Sequence, residues 1–287
     1  MKFMIVADSS ANIFRVEGLN YTTVPMKIVA ADREFVDNDA LKLQEMVDFL
    51  ASYKGKSGSS CPNVQEWLEA FGDADCVFGL TITKHLSGSY NAAQQAAQIF
   101  MEENPGKKAF IFDSLSTGPE MMMMVDKIKE RIEAGDDFEA IKASVLEYNN
   151  HNHTLFCLRS MNNLARNGRV HPAVAKIAGM LNIRAVGDVE GGEITPIHKP
   201  RGDKKATEIL VQMMKERGFF DGGILRIAHC FGEVHAQALA DAVVAEYPNA
   251  KITIEPTTAL CSFYAEAGGL IIGFQGAFNA ANDNTKF

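Results

Sequence analysis

Hydroxyl side chains are concentrated at two points where a loop leads into a helical pattern. The first cluster is Ser59 and Ser60, before the pattern at residues 64–71, and the second cluster is Ser87, Gly88 and Ser89, before the pattern at residues 92–101. A helix start offers free N–H groups and the positive end of the helix dipole, and serine adds a hydroxyl donor. Serine also caps helices routinely, so one cluster alone carries little weight. Two clusters after different strands predict a shared anion site that suits a carboxylate.

Aspartates directly follow two of the predicted strands. Asp8 comes after the apolar run at residues 3–7, and Asp113, followed by Ser114, comes after the run at residues 109–112. The carboxyl ends of parallel strands are where α/β proteins place their ligands. The same residue types also form Asx turns and cap the next turn. The sequence leaves both interpretations open.

Signatures of nucleotide, metal and cofactor chemistry fail in detail. Residues 55–57 read Gly-Lys-Ser, like the end of a P-loop, but Leu50 stands where that motif requires glycine. No GxGxxG follows a predicted strand, which argues against a dinucleotide fold. His151 and His153 have no further ligands at a spacing typical of zinc sites. We therefore predict no metal site, no cofactor and no catalytic residue.

Short apolar runs alternate with amphipathic helical patterns along the chain. The alternation predicts an α/β fold with two domains, each with largely parallel sheets flanked by helices. A polar segment at residues 149–153 ends one helical pattern, and we place the boundary near residue 155. This gives an N-terminal domain of residues 1–155 and a C-terminal domain of residues 156–287. The predicted strands are residues 3–7, 76–81, 109–112, 154–158, 224–229 and 251–255.

Composition excludes several classes of protein. The 287 residues carry a formal net charge of −8 and contain no Lys/Arg run, which argues against nucleic acid and anionic membranes as partners. No apolar run approaches the roughly 18 residues of a spanning helix. The N-terminal apolar run stops at Asp8, so no signal peptide is predicted. The five cysteines form no CxxC and are expected to be reduced thiols, in the cytoplasm.

The order of these motifs resembles the DegV family, the fatty-acid-binding acyl carriers of bacterial fatty acid kinase. Residues 59–63 read Ser-Ser-Cys-Pro-Asn, where the family has Thr-Ser-Gln-Pro-Ser. Residues 86–90 read Leu-Ser-Gly-Ser-Tyr, which is similar to the family's Leu-Ser-Gly-Thr-Tyr. The remaining marks are Asp8-Ser9, Asp113-Ser114 with Gly118, residues 164–170, Gly192-Glu193-Ile194 with Lys199 and Arg201, and residues 268–274.

The resemblance implies a lipid-binding protein of bacterial phospholipid metabolism that is not itself an enzyme. A long-chain fatty acid would lie in an apolar tunnel between or within the domains, and a separate kinase would phosphorylate its carboxylate. The N-terminal domain would carry the carboxylate-binding hydroxyls, Ser59 and Ser87, and the C-terminal domain would contribute to the acyl pocket. Arg201 matches a basic position associated with the kinase, and Arg169 an arginine near the head group. The implied ligand-binding set is Ser59, Ser60, Ser87, Gly88, Ser89, Asp113, Ser114, Arg169 and Tyr264.

Departures from the family pattern keep two alternatives open. Tyr264 stands where the family has the histidine of His-x-Gly-Pro-Gly, and a tyrosine hydroxyl donates a hydrogen bond but does not titrate near pH 7. One alternative is a serine-dependent acyl hydrolase or transferase with Ser87 as nucleophile, supported by Asp113 and either His229 or His85. The other is a ligand-binding regulatory module, in a homodimer, whose ligand is not a fatty acid.

Overall fold

The computed structural model describes residues 2–173 and 181–283. The chain forms two units of tertiary structure, and each of them is built from segments that are distant in sequence. The first unit contains Met1–Thr117, Met121–Asn149 and Thr258–Leu260, and the second contains Gly118–Glu120, Asn150–Thr257 and Cys261–Phe287.

A four-stranded parallel sheet forms the centre of the first unit, with the strand order β2-β1-β6-β7. A second, antiparallel sheet of this unit has the order β4-β3-β5. The strands are β1 (Phe3–Asp8), β2 (Tyr21–Val24), β3 (Lys27–Ala30), β4 (Arg33–Val36), β5 (Ser57–Ser60), β6 (Cys76–Thr81) and β7 (Lys108–Asp113). The helices are α1 (Leu43–Ser52), α2 (Val64–Phe71), α3 (Ser89–Glu103), α4 (Pro119–Glu133), which enters this unit at Met121, and α5 (Phe138–Asn149).

Helices cover both faces of the parallel sheet. All six residues of β6 are buried, as expected for a strand with apolar side chains on both of its faces. On one face, Trp67 of α2 and Phe100 of α3 pack in a cluster with Val77. On the other face, Phe78 stacks on Phe138 of α5 with 4.7 Å between the ring centroids. The packing fixes the strand order, and with it the group of loops that leave the carboxyl ends of β1, β6 and β7.

The second unit contains a six-stranded sheet with the order β10-β9-β8-β13-β11-β12. Its strands are β8 (Asn152–Leu158), β9 (Ala185–Glu190), β10 (Glu193–His198), β11 (Ile224–His229), β12 (Lys251–Pro256) and β13 (Leu270–Gln275). Its helices are α6 (Asn162–Arg166), α7 (Asp203–Glu216), α8 (Glu233–Glu246) and α9 (Ala259–Ala265), which enters this unit at Cys261. The longest segment of this unit begins at Asn150, and within it the whole of β8 pairs with β9 and β13.

The α/β class predicted from the sequence is confirmed, but the six-stranded sheet of the second unit is mainly antiparallel. Only β11 and β12 pair in parallel, and the other neighbouring strands of that sheet are antiparallel. Strands buried on both faces have the same apolar composition whichever way they run, so the sequence pattern did not reveal direction. A tight hairpin at Gly191 and Gly192, with φ of 60° and 86°, reverses the chain between β9 and β10.

Successive side chains of β8 point to opposite faces of the six-stranded sheet, and each face is covered by its own apolar layer. Leu155 and Cys157 belong to the layer that packs against α7 and α8. Phe156 and Leu158 belong to the opposite layer, which includes Leu164 of α6 and residues of α9. Among the described residues, no helix combines the length and the apolar character that a membrane crossing requires.

Candidate functional site

The carboxyl ends of β1, β6 and β7 lie side by side, and Asp8 and Asp113 end β1 and β7, the two strands that the sequence analysis predicted before them. Ala7 pairs with Leu80, and Thr81 pairs with Asp113, so Asp8 and Asp113 stand at the same edge on either side of β6. We call this edge, with the loop from Ile82 to Gly88 that leaves it, the polar edge. It is the candidate functional site of the first unit.

Asp8 is fully buried and its carboxylate accepts hydrogen bonds on both oxygens. Oδ1 accepts from the backbone N–H of Ser10 at 3.2 Å and from the hydroxyl of Ser10. Oδ2 accepts from the N–H of Ile82 at 3.0 Å and from the hydroxyl of Ser89 at 2.7 Å. Burial raises the pKa of Asp8 to about 6, although these hydrogen bonds oppose the rise. Asp8 is therefore an interior group that organises the edge.

Asp113 and Ser114 shape a turn. Oδ1 of Asp113 accepts from the N–H of Leu115 at 3.1 Å, which makes an Asx turn, and from the N–H of Lys84 at 3.2 Å. The buried Ser114 hydroxyl donates to the carbonyl of Ser116 at 3.0 Å. These contacts support the turn interpretation that the sequence left open, and direct ligand contact by Asp113 and Ser114 stays a prediction.

Ser87 is the more accessible of the two serines that enter α3. Its hydroxyl oxygen accepts from the N–H of Ser89 at 3.2 Å, and its side chain is half-buried. Gly88 is exposed and occupies the N-cap, where it brings no side-chain oxygen to the first turn. Ser89 is buried and its hydroxyl is engaged with Asp8. The helix begins at Ser89 rather than at residue 92, because Asp8 holds this residue at the start of the first turn.

Ser59 and Ser60 lie in a strand rather than at the start of a helix. They pair with Ile28 and Lys27 of β3, and Ser60 is exposed. The start of α2 is capped instead by Asn63, whose side chain accepts from the N–H of Glu66. The helical pattern at residues 64–71 is confirmed by α2, but the two serines end the preceding strand and do not belong to the first turn of the helix. Polar strand residues such as those of β5 give no apolar alternation, so only pairing with β3 reveals the strand.

The chain after β5 contacts the loop that enters α3. A Cβ atom added to Gly88 would lie 3.3 Å from Sγ of Cys61, closer than most real contacts of that kind. Cys61 is two residues beyond Ser59, and Gly88 is one residue beyond Ser87. The fold thus brings the two hydroxyl clusters into one neighbourhood, and the glycine allows that close approach.

Arg169 lies at the end of a short helix in the second unit. Gly168 has φ of 71°, its N–H donates to Ala165, and the N–H of Arg169 donates to the carbonyl of Leu164 at 2.8 Å. These bonds form a Schellman motif, which ends α6. The half-buried guanidinium of Arg169 donates to the carbonyl of Asn167. A head-group role for Arg169 stays a prediction.

Two further residues of the second unit came from the sequence analysis. Tyr264 lies on α9, where its ring meets that of Phe263 at 4.8 Å and packs on the layer that contains Phe156. Arg201 is exposed, and its backbone forms an isolated bridge with Ile183. The exposure of Arg201 is compatible with contact to a partner.

A buried carboxylate that the sequence analysis missed is Asp37 in the first unit. Its oxygens accept from the N–H groups of Ala259 at 2.8 Å and Leu260 at 3.0 Å. Beside it, the hydroxyl of Thr258 donates to Oδ1 of Asn12 at 2.9 Å. Asp37 and Ala259 are 222 residues apart in the chain, so no local sequence pattern could have shown that they are partners.

The hydrolase alternative requires a base bonded to Ser87. Within the described residues, no histidine nitrogen forms a hydrogen bond with the Ser87 hydroxyl, whose partner is the N–H of Ser89. His85, on the same loop, is exposed, and its backbone N–H donates to Thr83. A serine nucleophile works through a general base within hydrogen-bond reach. Nothing in the polar edge supports that alternative.

Comparison with known proteins gives matches over nearly the whole chain. A family model described as "Uncharacterised protein, DegV family" matches residues 2–275. A DegV domain-containing protein of Streptococcus pneumoniae is 35% identical over 280 residues, which cover 96% of this chain and 99% of the relative.

Two solved structures are similar in both sequence and fold. A DegV family protein from Eubacterium eligens loaded with heptadecanoic acid has a TM-score of 0.93 and 37% identity, and the match covers 96% of this chain and 99% of that one. The fatty acid kinase B3 protein of Streptococcus pneumoniae loaded with linoleic acid has a TM-score of 0.93 and 35% identity, with the same coverage of 96% and 99%.

Proposed function

This chain belongs to the DegV family, and from that membership we propose that it binds a long-chain fatty acid without acting on it catalytically. One observation carries the proposal. Two proteins that match 96% of this chain with a TM-score of 0.93 each hold a fatty acid. The neighbourhood of Ser59 and Ser87 supplies hydroxyl groups of the kind that a carboxylate needs.

The carboxylate of the ligand requires hydrogen-bond donors. Removing a carboxylate from water without partners is strongly unfavourable, and hydroxyl or N–H donors offset that cost. In the proposal, the Ser59 and Ser87 hydroxyls donate to the ligand, Ser60 is the next residue of β5, and exposed Gly88 leaves room for close approach. Ser89, Asp113 and Ser114 shape the surrounding backbone, and Arg169 and Tyr264 stay predictions for the second unit.

Apolar burial supplies most of the expected binding energy. About fourteen methylenes at about 0.8 kcal/mol each give about 11 kcal/mol, of which the entropy of association and ordering offsets half or more. We propose that the layer of the second unit that contains Phe156, Leu158 and Leu164 contributes to the acyl pocket. The helices on this layer are short: α6 has five residues and α9 has seven. The longer helices α7 and α8 lie on the opposite layer.

We further propose that the protein presents its bound acid to a separate ATP-using kinase. The support is the similarity to the fatty acid kinase B3 protein. Arg201 is exposed and lies near Lys199, Lys204 and Lys205 in the chain, so this stretch can attract an acidic surface. Arg201→Ala should leave fatty acid binding unchanged and reduce kinase-coupled phosphorylation, whereas loss of fatty acid binding would place this arginine in the binding site.

Calorimetric titration of the delipidated protein with oleate tests the binding proposal. We expect tight binding by the parent protein, and Ser59→Ala and Ser87→Ala should each weaken it by about 1–3 kcal/mol, the cost of an unsatisfied buried group. Ser52→Ala is the matched control, because Ser52 is exposed and its hydroxyl donates to its own helix. A protein that purifies without any acyl acid in native mass spectrometry, and that ignores both oleate and palmitate, would refute the proposal.

A further inference from the structure

Both ends of the loop that carries Ser87 are attached to the same carboxylate oxygen. Oδ2 of Asp8 accepts from the N–H of Ile82, where the loop leaves β6, at 3.0 Å, and from the hydroxyl of Ser89, where the loop enters α3, at 2.7 Å. The sequence separations are 74 and 81 residues, so these contacts belong to the tertiary structure. Asp8 therefore links the two ends of the loop from Ile82 to Ser89, and we call this set of hydrogen bonds the clasp.

The carboxylate that forms this clasp is itself fixed. Its other oxygen, Oδ1, accepts from the N–H and the hydroxyl of Ser10, and the side chain is fully buried. Each oxygen thus faces one backbone N–H and one serine hydroxyl. Burial raises the pKa of Asp8 to about 6, which still leaves the group ionised at neutral pH. An ionised carboxylate accepts on both oxygens, as this arrangement requires.

The part of the loop next to β6 is also held by hydrogen bonds that do not involve Asp8. The N–H of Thr83 donates to the carbonyl of Ser116 at 3.0 Å, and the N–H of Lys84 donates to Oδ1 of Asp113 at 3.2 Å. These bonds fix the residues next to β6. The N–H of Leu86 also donates to the carbonyl of Thr83 at 3.1 Å, so Ser87 lies between this turn and the contacts at the α3 end of the loop.

Ser89 connects Asp8 with Ser87. The hydroxyl of Ser89 donates to Asp8, and its backbone N–H donates to the hydroxyl oxygen of Ser87 at 3.2 Å. Because the oxygen of Ser87 accepts that bond, its hydroxyl proton points elsewhere and is available to an external acceptor. The position of Ser89 thus determines the direction in which Ser87 can donate.

We propose that Asp8 is a positioning residue, which holds Ser89 so that the Ser87 hydroxyl donates to the carboxylate of the ligand. This inference rests on the proposed fatty acid binding and adds a residue that would not touch the ligand. Asparagine at position 8 has nearly the same shape, but its amide nitrogen cannot accept. In Asp8→Asn, the N–H of Ile82 or of Ser10 therefore faces another donor, and the clasp opens at one point.

A residue that only stabilises the fold would weaken the binding of every ligand alike. The decisive comparison is therefore between oleate and oleyl alcohol, which share the chain and differ in the charged head group. We expect Asp8→Asn to weaken oleate binding about tenfold or more and to change oleyl alcohol binding less than twofold, with Ser89→Ala acting in the same direction to a smaller extent. Asp188→Asn is the control, because it alters a buried carboxylate in the second unit.

A double-mutant cycle tests whether Asp8 acts through Ser87. In a Ser87→Ala background, Asp8→Asn should weaken oleate binding by no more than a further twofold. Fully additive effects, or equal losses for oleate and oleyl alcohol, would overturn the proposal. Should Asp8→Asn fail to fold, Ser89→Ala in the same cycle tests the same coupling, with the same outcomes for and against it.

Amide hydrogen exchange separates this proposal from the proposed function, because it needs no ligand. We expect faster exchange at Ile82 and Ser89 in Asp8→Asn than in the parent protein, and no change there in Asp188→Asn. Unchanged exchange in Asp8→Asn would overturn the clasp even if oleate binds. Faster exchange in Asp8→Asn, together with a parent protein that binds no fatty acid, would instead refute the proposed function and leave the clasp in place.

Discussion

Two buried carboxylates, one in each unit, are stabilised in different ways. Asp8 of the first unit receives four hydrogen bonds from neutral donors of Ser10, Ile82 and Ser89. Asp188 of the second unit, on β9, is paired with the guanidinium of Arg217. Arg217 also bonds Glu190 at 3.1 Å and the carbonyl of Met213 at 3.4 Å.

The difference is between a carboxylate that is held by directional hydrogen bonds, Asp8, and one that is held by an opposite charge, Asp188. Burial raises the pKa of both aspartates, and at Asp188 the nearby Glu190 adds to the rise while Arg217 opposes it. Neutral donors are directional, so Asp8 fixes the separate chain segments that meet at the polar edge. The ion pair chiefly balances the charge of Asp188 on β9, the strand next to the edge of the six-stranded sheet. The first arrangement suits a site that must orient a ligand, and the second suits a scaffold.

The largest effect expected from this comparison is that of Arg217→Ala. The substitution leaves Asp188 buried without its cation and beside Glu190, so the free energy of unfolding should fall by about 3–5 kcal/mol. Chemical denaturation at neutral pH measures the change. Arg15→Ala is the matched control, since Arg15 and Asp39 form an exposed pair worth at most about 1 kcal/mol. Equal costs for the two substitutions would show that the buried pair contributes no more than a surface pair.

The pH dependence of stability should distinguish Asp8 from its surroundings. Its pKa is about 6 in the folded protein against an ordinary value of 3.8, so the folded state binds the proton more tightly. This contribution is complete below pH 4 and is lost as the pH rises towards 6, by up to about 3 kcal/mol. Denaturation of the parent protein and of Asp8→Asn across pH 4–7 should give curves that diverge in that window. Parallel curves would contradict the assignment to Asp8.

The smallest effect concerns neutral polar side chains outside the clasp. Asn63→Ala removes the cap of α2 and should cost about 1 kcal/mol. Ser60→Ala, on the exposed side of β5, should change stability by less than about 0.5 kcal/mol. Thermal unfolding of the two variants makes the comparison. If Ser60→Ala were the more costly substitution, the assignment of the cap to Asn63 would be wrong.

The sequence predicted six of the thirteen strands that the described residues form and missed the other seven. Every predicted strand is present, because runs such as residues 76–81 are apolar throughout. The strands that were missed are β2, β3, β4, β5, β9, β10 and β13. Of these, β5 is Ser-Gly-Ser-Ser and β10 is largely exposed, whereas β13 is apolar and buried like the strands that were predicted. The sequence pattern also could not predict the direction of the strands in the six-stranded sheet. Strands that are buried on both faces have the same composition whether they are parallel or antiparallel.

The sequence by itself determined the family, the α/β class and the local devices that close within a few residues. The capping box of Asn63 and Glu66 and the turn at Gly168 are of this kind, because their partners are neighbours in the chain. Only the tertiary structure decided that Asp8 meets Ile82 and Ser89, and that Ser59 belongs to a strand. Hydrogen bonds between distant residues depend on the order and register of the strands, which side-chain packing sets after the local segments have formed.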